Sequence, residues 1–189
     1  GNIVSLIYKK RLDSLYKKSQ RQGNKNPAYH AVANAVNTLW AIDIDAQNVI
    51  HCKTRLLESS LAFIKEKTDV SSDISVISSE PEFFAHLLCA INWHIKENET
   101  LSSLSDDEHA QINASKTHAG QQWFLKNGHH PLDFENSWVM HFQAQKENKL
   151  LPFMYKRANR FIKTLLTGNG RQDVEFEFAD LQTNYFDSF

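Results

Sequence analysis

The run Lys126-Asn127-Gly128-His129-His130-Pro131-Leu132-Asp133-Phe134-Glu135-Asn136 sets two adjacent imidazoles in a helix-ending turn, with two carboxylates close behind. Gly128 can take the left-handed conformation that closes a helix, Pro131 keeps His130 out of a regular helix, and Asp133 can cap a helix that follows. The two rings are thus held in a constrained corner. Imidazole is the commonest protein metal ligand and titrates near neutrality, so such a corner can serve a metal or a phosphate.

The elements that would position this corner are helical. Ile3 to Gln22 reads as a basic helix with Ile3, Leu6, Ile7 and Leu15 on one side, ending at Gly23-Asn24. Asn26-Pro27 starts a second helix, with Val32, Val36, Leu39 and Trp40 at helical spacing. Asp45 caps a third that runs to about Lys67 on a stripe of Ile50, Leu57, Leu61 and Ile64. Val70 to Ser78 reads as a serine-rich loop. Two capping boxes, Ser79 with Glu82 and Ser105 with Glu108, open the next two helices, and the second of these delivers the chain to Asn127-Gly128. A helix from about Asp133 to Asn148 follows, and a last one runs from Pro152 to Gly168. In the tail, Val174, Phe176 and Phe178 alternate with Glu175 and Glu177, the pattern of a short strand or an extended arm. The fold class expected is all-α: a single-domain helical bundle over 1–170 with a C-terminal arm over 171–189.

Length and charge narrow the function classes. A chain of 189 residues can bury one sizeable core. With 21 basic and 22 acidic residues the net charge is -1, which gives no global attraction to nucleic acid or to an anionic membrane. The first helix does gather Lys9, Lys10, Arg11, Lys17, Lys18 and Arg21, with Lys25 just beyond, against Asp13 alone. No groove-reading motif accompanies them, so they read as a solvated face and nucleic acid is not an expected partner. No apolar run approaches the roughly 18 residues of a spanning helix and no leader is evident, so a cytoplasmic protein without a membrane partner is expected. Cys52 and Cys89 lack metal or redox spacing and read as small core residues. Gly-rich phosphate loops, Ser-His-Asp order and cysteine nucleophile signatures do not occur. Nothing fixes an oligomeric state.

Upstream of the double histidine lies a second ordered set: His51, then Asp73-Ile74-Ser75, then Ser79-Glu80-Pro81-Glu82-Phe83. Taken with His129-His130-Pro131 and Phe134-Glu135-Asn136, this order resembles a small all-helical bacterial and phage family. That family's pattern runs His, His-Asp-x-Ser-Lys, Ser-Glu-Pro-Glu-Phe, and a His-rich segment ending Phe-Glu-Asn. It is in turn similar to the HD-domain metal-dependent phosphohydrolases, where His, His-Asp and a later Asp bind a divalent metal. The resemblance covers roughly His51 to Asn136. It implies an HD-domain-like bundle, a divalent transition metal held by His51, Asp73, His129 and His130, and Glu80 or Glu82 as a base or an orienting group. Ser72 stands where the family has the histidine of His-Asp, and Val76 where it has a lysine. An earlier His-His pair falls on Gln122-Trp123, with His118 one helical turn before and able to substitute.

Bland readings stand beside these. His51 fits the boundary of an apolar stripe, Asp73 fits a turn, and His86, His94, His109 and His141 fit structural positions. Trp123 can anchor the core, wall a pocket or stack a base. Arg157 and Arg160, with Lys156 and Lys163, form a basic face that would suit phosphate capture if it lay over the histidine corner. Two functions are therefore expected as alternatives. One is a divalent-metal phosphohydrolase acting on a nucleotide or other small phosphate ester. The other is a catalytically degenerate relative serving as a ligand-binding or protein-interaction module.

Overall fold

The computed structural model describes residues 2–168. Ten helices carry the described chain: α1 (Asn2–Arg21), α2 (Pro27–Asn37), α3 (Ala46–Thr68), α4 (Asp73–Ser79), α5 (Pro81–His94), α6 (Thr100–Ser103), α7 (Asp107–Ala114), α8 (His118–Asn127), α9 (Trp138–Glu147) and α10 (Phe153–Gly168). The all-α class is as the periodicity predicts. The arm expected over 171–189 lies outside the described residues.

Helix α5 is the hub. It is apolar on nearly every side, burying Phe84, Leu87, Leu88, Cys89, Ala90 and Ile91, and such a helix must be covered all round. Helices α2, α3, α9 and α10 cover it, while α1 packs outside on α2 and α3. Cys52 and Cys89 are buried within this core and are not joined in a disulfide. Two short parallel strands, β1 (Ala41–Asp43) and β2 (Ile95–Glu97), pair Ala41 with Ile95 and Asp43 with Glu97. They tie the entry of α3 to the exit of α5, a link that three-residue strands give no periodicity to foretell.

Several boundaries differ from the sequence reading, each for a local reason. The serine-rich stretch is not all loop: Ser72 caps α4 by accepting from the Ser75 amide at 3.1 Å, and Val76 and Ile77 are buried. The Ser79–Glu82 capping box is not formed. Ser79 closes α4 by donating to the Val76 carbonyl at 2.7 Å, and α5 starts at Pro81, which has no amide hydrogen to satisfy. Ser105 does not cap either. Asp106 takes that role, accepting from the His109 amide at 2.9 Å. The single helix expected from there to Asn127 is broken at Ser115-Lys116-Thr117, where Thr117 caps α8 through the Gly120 amide at 2.9 Å. Asp133 turns the chain by accepting from the amides of Glu135 and Asn136, and Ser137 caps α9 four residues later than expected. Helix α1 is rotated from the predicted phase. Tyr8 and Leu12 point inward, while Ile3 is 75 %, Leu6 57 % and Ile7 45 % exposed.

Candidate functional site

The double-histidine corner is a structural joint. Gly128 closes α8 with φ +80°, and the chain then lies against α6 through the Leu132 amide, which donates to the Ser103 carbonyl at 3.0 Å. His129 turns Nδ1 to the Asp107 carboxylate at 2.7 Å and Nε2 to the Ser102 carbonyl at 2.9 Å. Both ring nitrogens therefore lie within hydrogen-bond distance of protein oxygens and are taken up inside the joint. His130 donates from Nε2 to the Asn127 carbonyl at 2.8 Å, and its own carbonyl accepts from buried Asn98 at 2.8 Å. Trp123 meets the His130 ring edge-on at 6.0 Å.

The remaining predicted residues are dispersed over other elements. His51 is exposed in the second turn of α3, and His118 is exposed at the first position of α8. Asp73 opens α4 and pairs with Lys65 at 2.7 Å. Glu80 and Glu82 are exposed at the start of α5. Arg157 and Arg160 sit on α10, which packs on α5 and α4, whereas the corner is tied to α6 and α7. Among the described residues no group of three or more His, Cys, Asp or Glu side chains is placed to hold a metal ion. Of the ligands that the resemblance implies, His129 and His130 share the corner, while His51, Asp73 and His118 belong to α3, α4 and α8.

The fold builds a different concavity. A cleft of about 330 Å³ runs between α2, α5 and α9, walled by Val36, Phe83, Leu87, Trp138 and Phe142, with Asn37, His86, Gln143 and Lys146 as its polar members. A shallower one of about 240 Å³ shares Ala33 and Phe83 with it and extends past Tyr29, His30 and Glu80. Trp138 forms the back wall and is 1 % exposed. Two histidines of α5 clamp it: its indole N–H donates to His86 Nδ1 at 3.2 Å, and its amide donates to His94 Nε2 at 3.2 Å. Both imidazoles must be neutral to accept. Burial favours that, lowering the affinity of His86 for a proton and bringing His94 down to about 4, with Lys96 adding to the His94 shift. The neutral His86 tautomer carries its proton on Nε2.

Two polar atoms near the cleft and clamp lack partners among the described residues. Asn37 donates from Nδ2 to the Ala33 carbonyl at 2.9 Å, yet its Oδ1 is buried without a donor, and Asn37 lines the cleft. His94 is fully buried against Trp40, and its Nδ1 has no partner either. An unmet buried polar atom, here an acceptor on Asn37 and a ring N–H donor on His94, is costly and is the usual mark of a position that a water or a ligand completes.

A buried amine lies on the other side of α5. Lys53 of α3 is 8 % exposed and donates to Asn92 Oδ1. Burial first, and the neighbouring Lys96 second, push it down to about 8. Neither the cleft nor Lys53 stood out in sequence. Lys53 was the more legible, because it falls three residues after Ile50 and four before Leu57, on the predicted apolar stripe.

Compared with known proteins, the chain matches no family model, no curated protein and no solved structure.

Proposed function

We propose that this chain is a ligand-binding helical domain whose α2–α5–α9 cleft takes one small, flat, largely aromatic molecule. The observation that carries this reading is the partnerless Asn37 Oδ1 in the lining of an otherwise apolar cleft of about 330 Å³, a volume within the range of small-molecule sites. Phe83, Trp138 and Phe142 supply aromatic surface, Asn37 Oδ1 asks for a donor, and Lys146 suits an acidic group at the open end. The phosphohydrolase reading is the weaker proposal, because among the described residues no group of three or more His, Cys, Asp or Glu side chains is placed to hold a metal ion.

The probe is 8-anilinonaphthalene-1-sulfonate, which combines fused rings, an N–H donor and an anion. Saturable binding of a single equivalent to the folded protein is expected. Ala33→Trp, which fills the cleft from α2, and Gln143→Trp, which fills it from α9, should each abolish that binding while circular dichroism stays unchanged. Binding that survives both substitutions in folded protein, or no saturable binding at all, would overturn the assignment.

A further inference from the structure

The outer face of α1 is an exposed surface that neither the core nor the cleft uses. Ile3, Ile7, Lys10, Ser14, Lys17 and Arg21 recur at alternating four- and three-residue steps, so they form one stripe along the helix, with Leu6 and Lys18 on its flanks. The opposite face is fixed inward by Tyr8 and Leu12, and Tyr8 shares a 2.7 Å hydrogen bond with Ser60 of α3. The stripe is therefore held outward by packing. Its N-terminal end shows three exposed aliphatic side chains, Ile3, Leu6 and Ile7, and its remainder is exposed and basic. Lys9 lies apart, in a groove with Asp13, Glu58 and Glu66.

We infer that this face docks on an anionic lipid surface, with Ile3, Leu6 and Ile7 entering below the headgroups and Lys10, Lys17, Lys18 and Arg21 lying along them. Charge complementarity selects that occupant. A second copy in parallel would set Lys10 and Lys17 against their equivalents, and an antiparallel copy would set Ile3 and Ile7 against Arg21 and Lys17. Either leaves cations without partners. Nucleic acid would satisfy the cations but leave three aliphatic side chains in water. An anionic bilayer uses both halves, an apolar insertion and a basic patch, which is the two-signal arrangement that makes membrane attachment stable. The net charge of -1 does not oppose this, since attraction at such a surface acts within a Debye length of one helix face.

The test is co-sedimentation of the full chain with mixed phosphatidylcholine–phosphatidylserine vesicles, against pure phosphatidylcholine. Binding to the mixed vesicles alone is expected. It should weaken roughly tenfold or more in the triple variant Ile3→Ser, Leu6→Ser, Ile7→Ser, and again in Lys10→Gln, Lys17→Gln, Lys18→Gln, Arg21→Gln. All these side chains are exposed, so both variants should melt as the parent does. Absence of binding to the mixed vesicles overturns the inference. So does a concentration-dependent dimer that the serine variant abolishes, which identifies a second copy as the occupant. Retention of vesicle binding by the serine variant, together with tight RNA or DNA binding lost in the glutamine variant, identifies a nucleic-acid face instead.

Discussion

Acidification should loosen the domain through His94, and the size of the effect follows from its surroundings. The ring is fully buried, accepts from the Trp138 amide through Nε2, and sits near Lys96, so the neutral form is strongly favoured in the fold. Its proton affinity falls from an ordinary 6.5 to about 4. The unfolded chain therefore binds the proton between these values while the folded chain does not, and stability falls as pH falls through that window. Above pH about 6.5 the contribution is complete, and below about 4 there is nothing further to lose. At about 1.4 kcal/mol per unit the loss is about 3 kcal/mol, a large share of a typical domain's 5–15 kcal/mol and worth about 6–12 °C in melting temperature. Urea titrations at steps from pH 7 to pH 4 measure it. Carboxylates also titrate at the acid end, so the quantity to compare is the difference from His94→Gln, which keeps an acceptor for Trp138 but does not ionise. The variant should lose the share of the slope between pH 6.5 and 5 that His94 carries and keep the share of His86, whose proton affinity burial also lowers. Equal slopes in the two proteins would refute the reasoning, because they would mean that His94 gains its proton as readily folded as unfolded.

Lys53→Met should stabilise the protein at pH 7. Holding the ammonium of Lys53 in the core costs about 3 kcal/mol for a shift from 10.5 to about 8, and losing its bond to Asn92 returns about 1–2 of that, leaving a net gain of about 1–2 kcal/mol in urea unfolding. Because that lysine's proton affinity is lowered on folding, the parent should recover relative to the variant as pH rises from 8 towards 10.5, and a variant less stable at pH 7 would count against the buried charge. Gly120→Ala should destabilise by about 1–3 kcal/mol despite alanine's better helix propensity, since the new Cβ would lie 2.5 Å from the Ala114 carbonyl oxygen and 2.7 Å from Thr117 Oγ1. A raised melting temperature would show that α7 and α8 can separate freely there. Chelator should leave the melting curve unchanged and added zinc or manganese should not raise it, because the His and Asp candidates are dispersed; a metal-dependent rise in melting temperature removed by His129→Ala would restore the corner as a metal centre.

What the sequence disclosed and what it hid divide along a physical line. Caps, turn formers and apolar spacing act within about four residues, and they located Asp45 as the cap of α3, Pro27 at the start of α2, Gly128 past the end of α8 and the apolar run of α5. Where two such signals competed within a few residues, as Ser79 with Pro81 or Ser105 with Asp106, the boundary depended on which amide lay within reach of which oxygen. The phase of α1 was a different problem. Ile3, Leu6 and Ile7 form as good an apolar stripe as Tyr8 and Leu12, and only the seat offered by α2 and α3, with Ser60 for the Tyr8 hydroxyl, decides between them. The same holds for the histidines. Adjacency made His129 and His130 look like ligands, but the oxygens of Asp107 and Ser102 arrive from segments more than twenty residues away and take up both nitrogens of His129. His86 and His94, by contrast, were polar residues within the most apolar helix of the chain. A neutral ring in such a helix must find a donor or an acceptor, and Trp138, fifty-two and forty-four residues on, supplies both hydrogens. A histidine within an all-round apolar helix is thus better read as a demand for a partner than as a surface residue, and in this fold meeting that demand builds the back wall of the cleft.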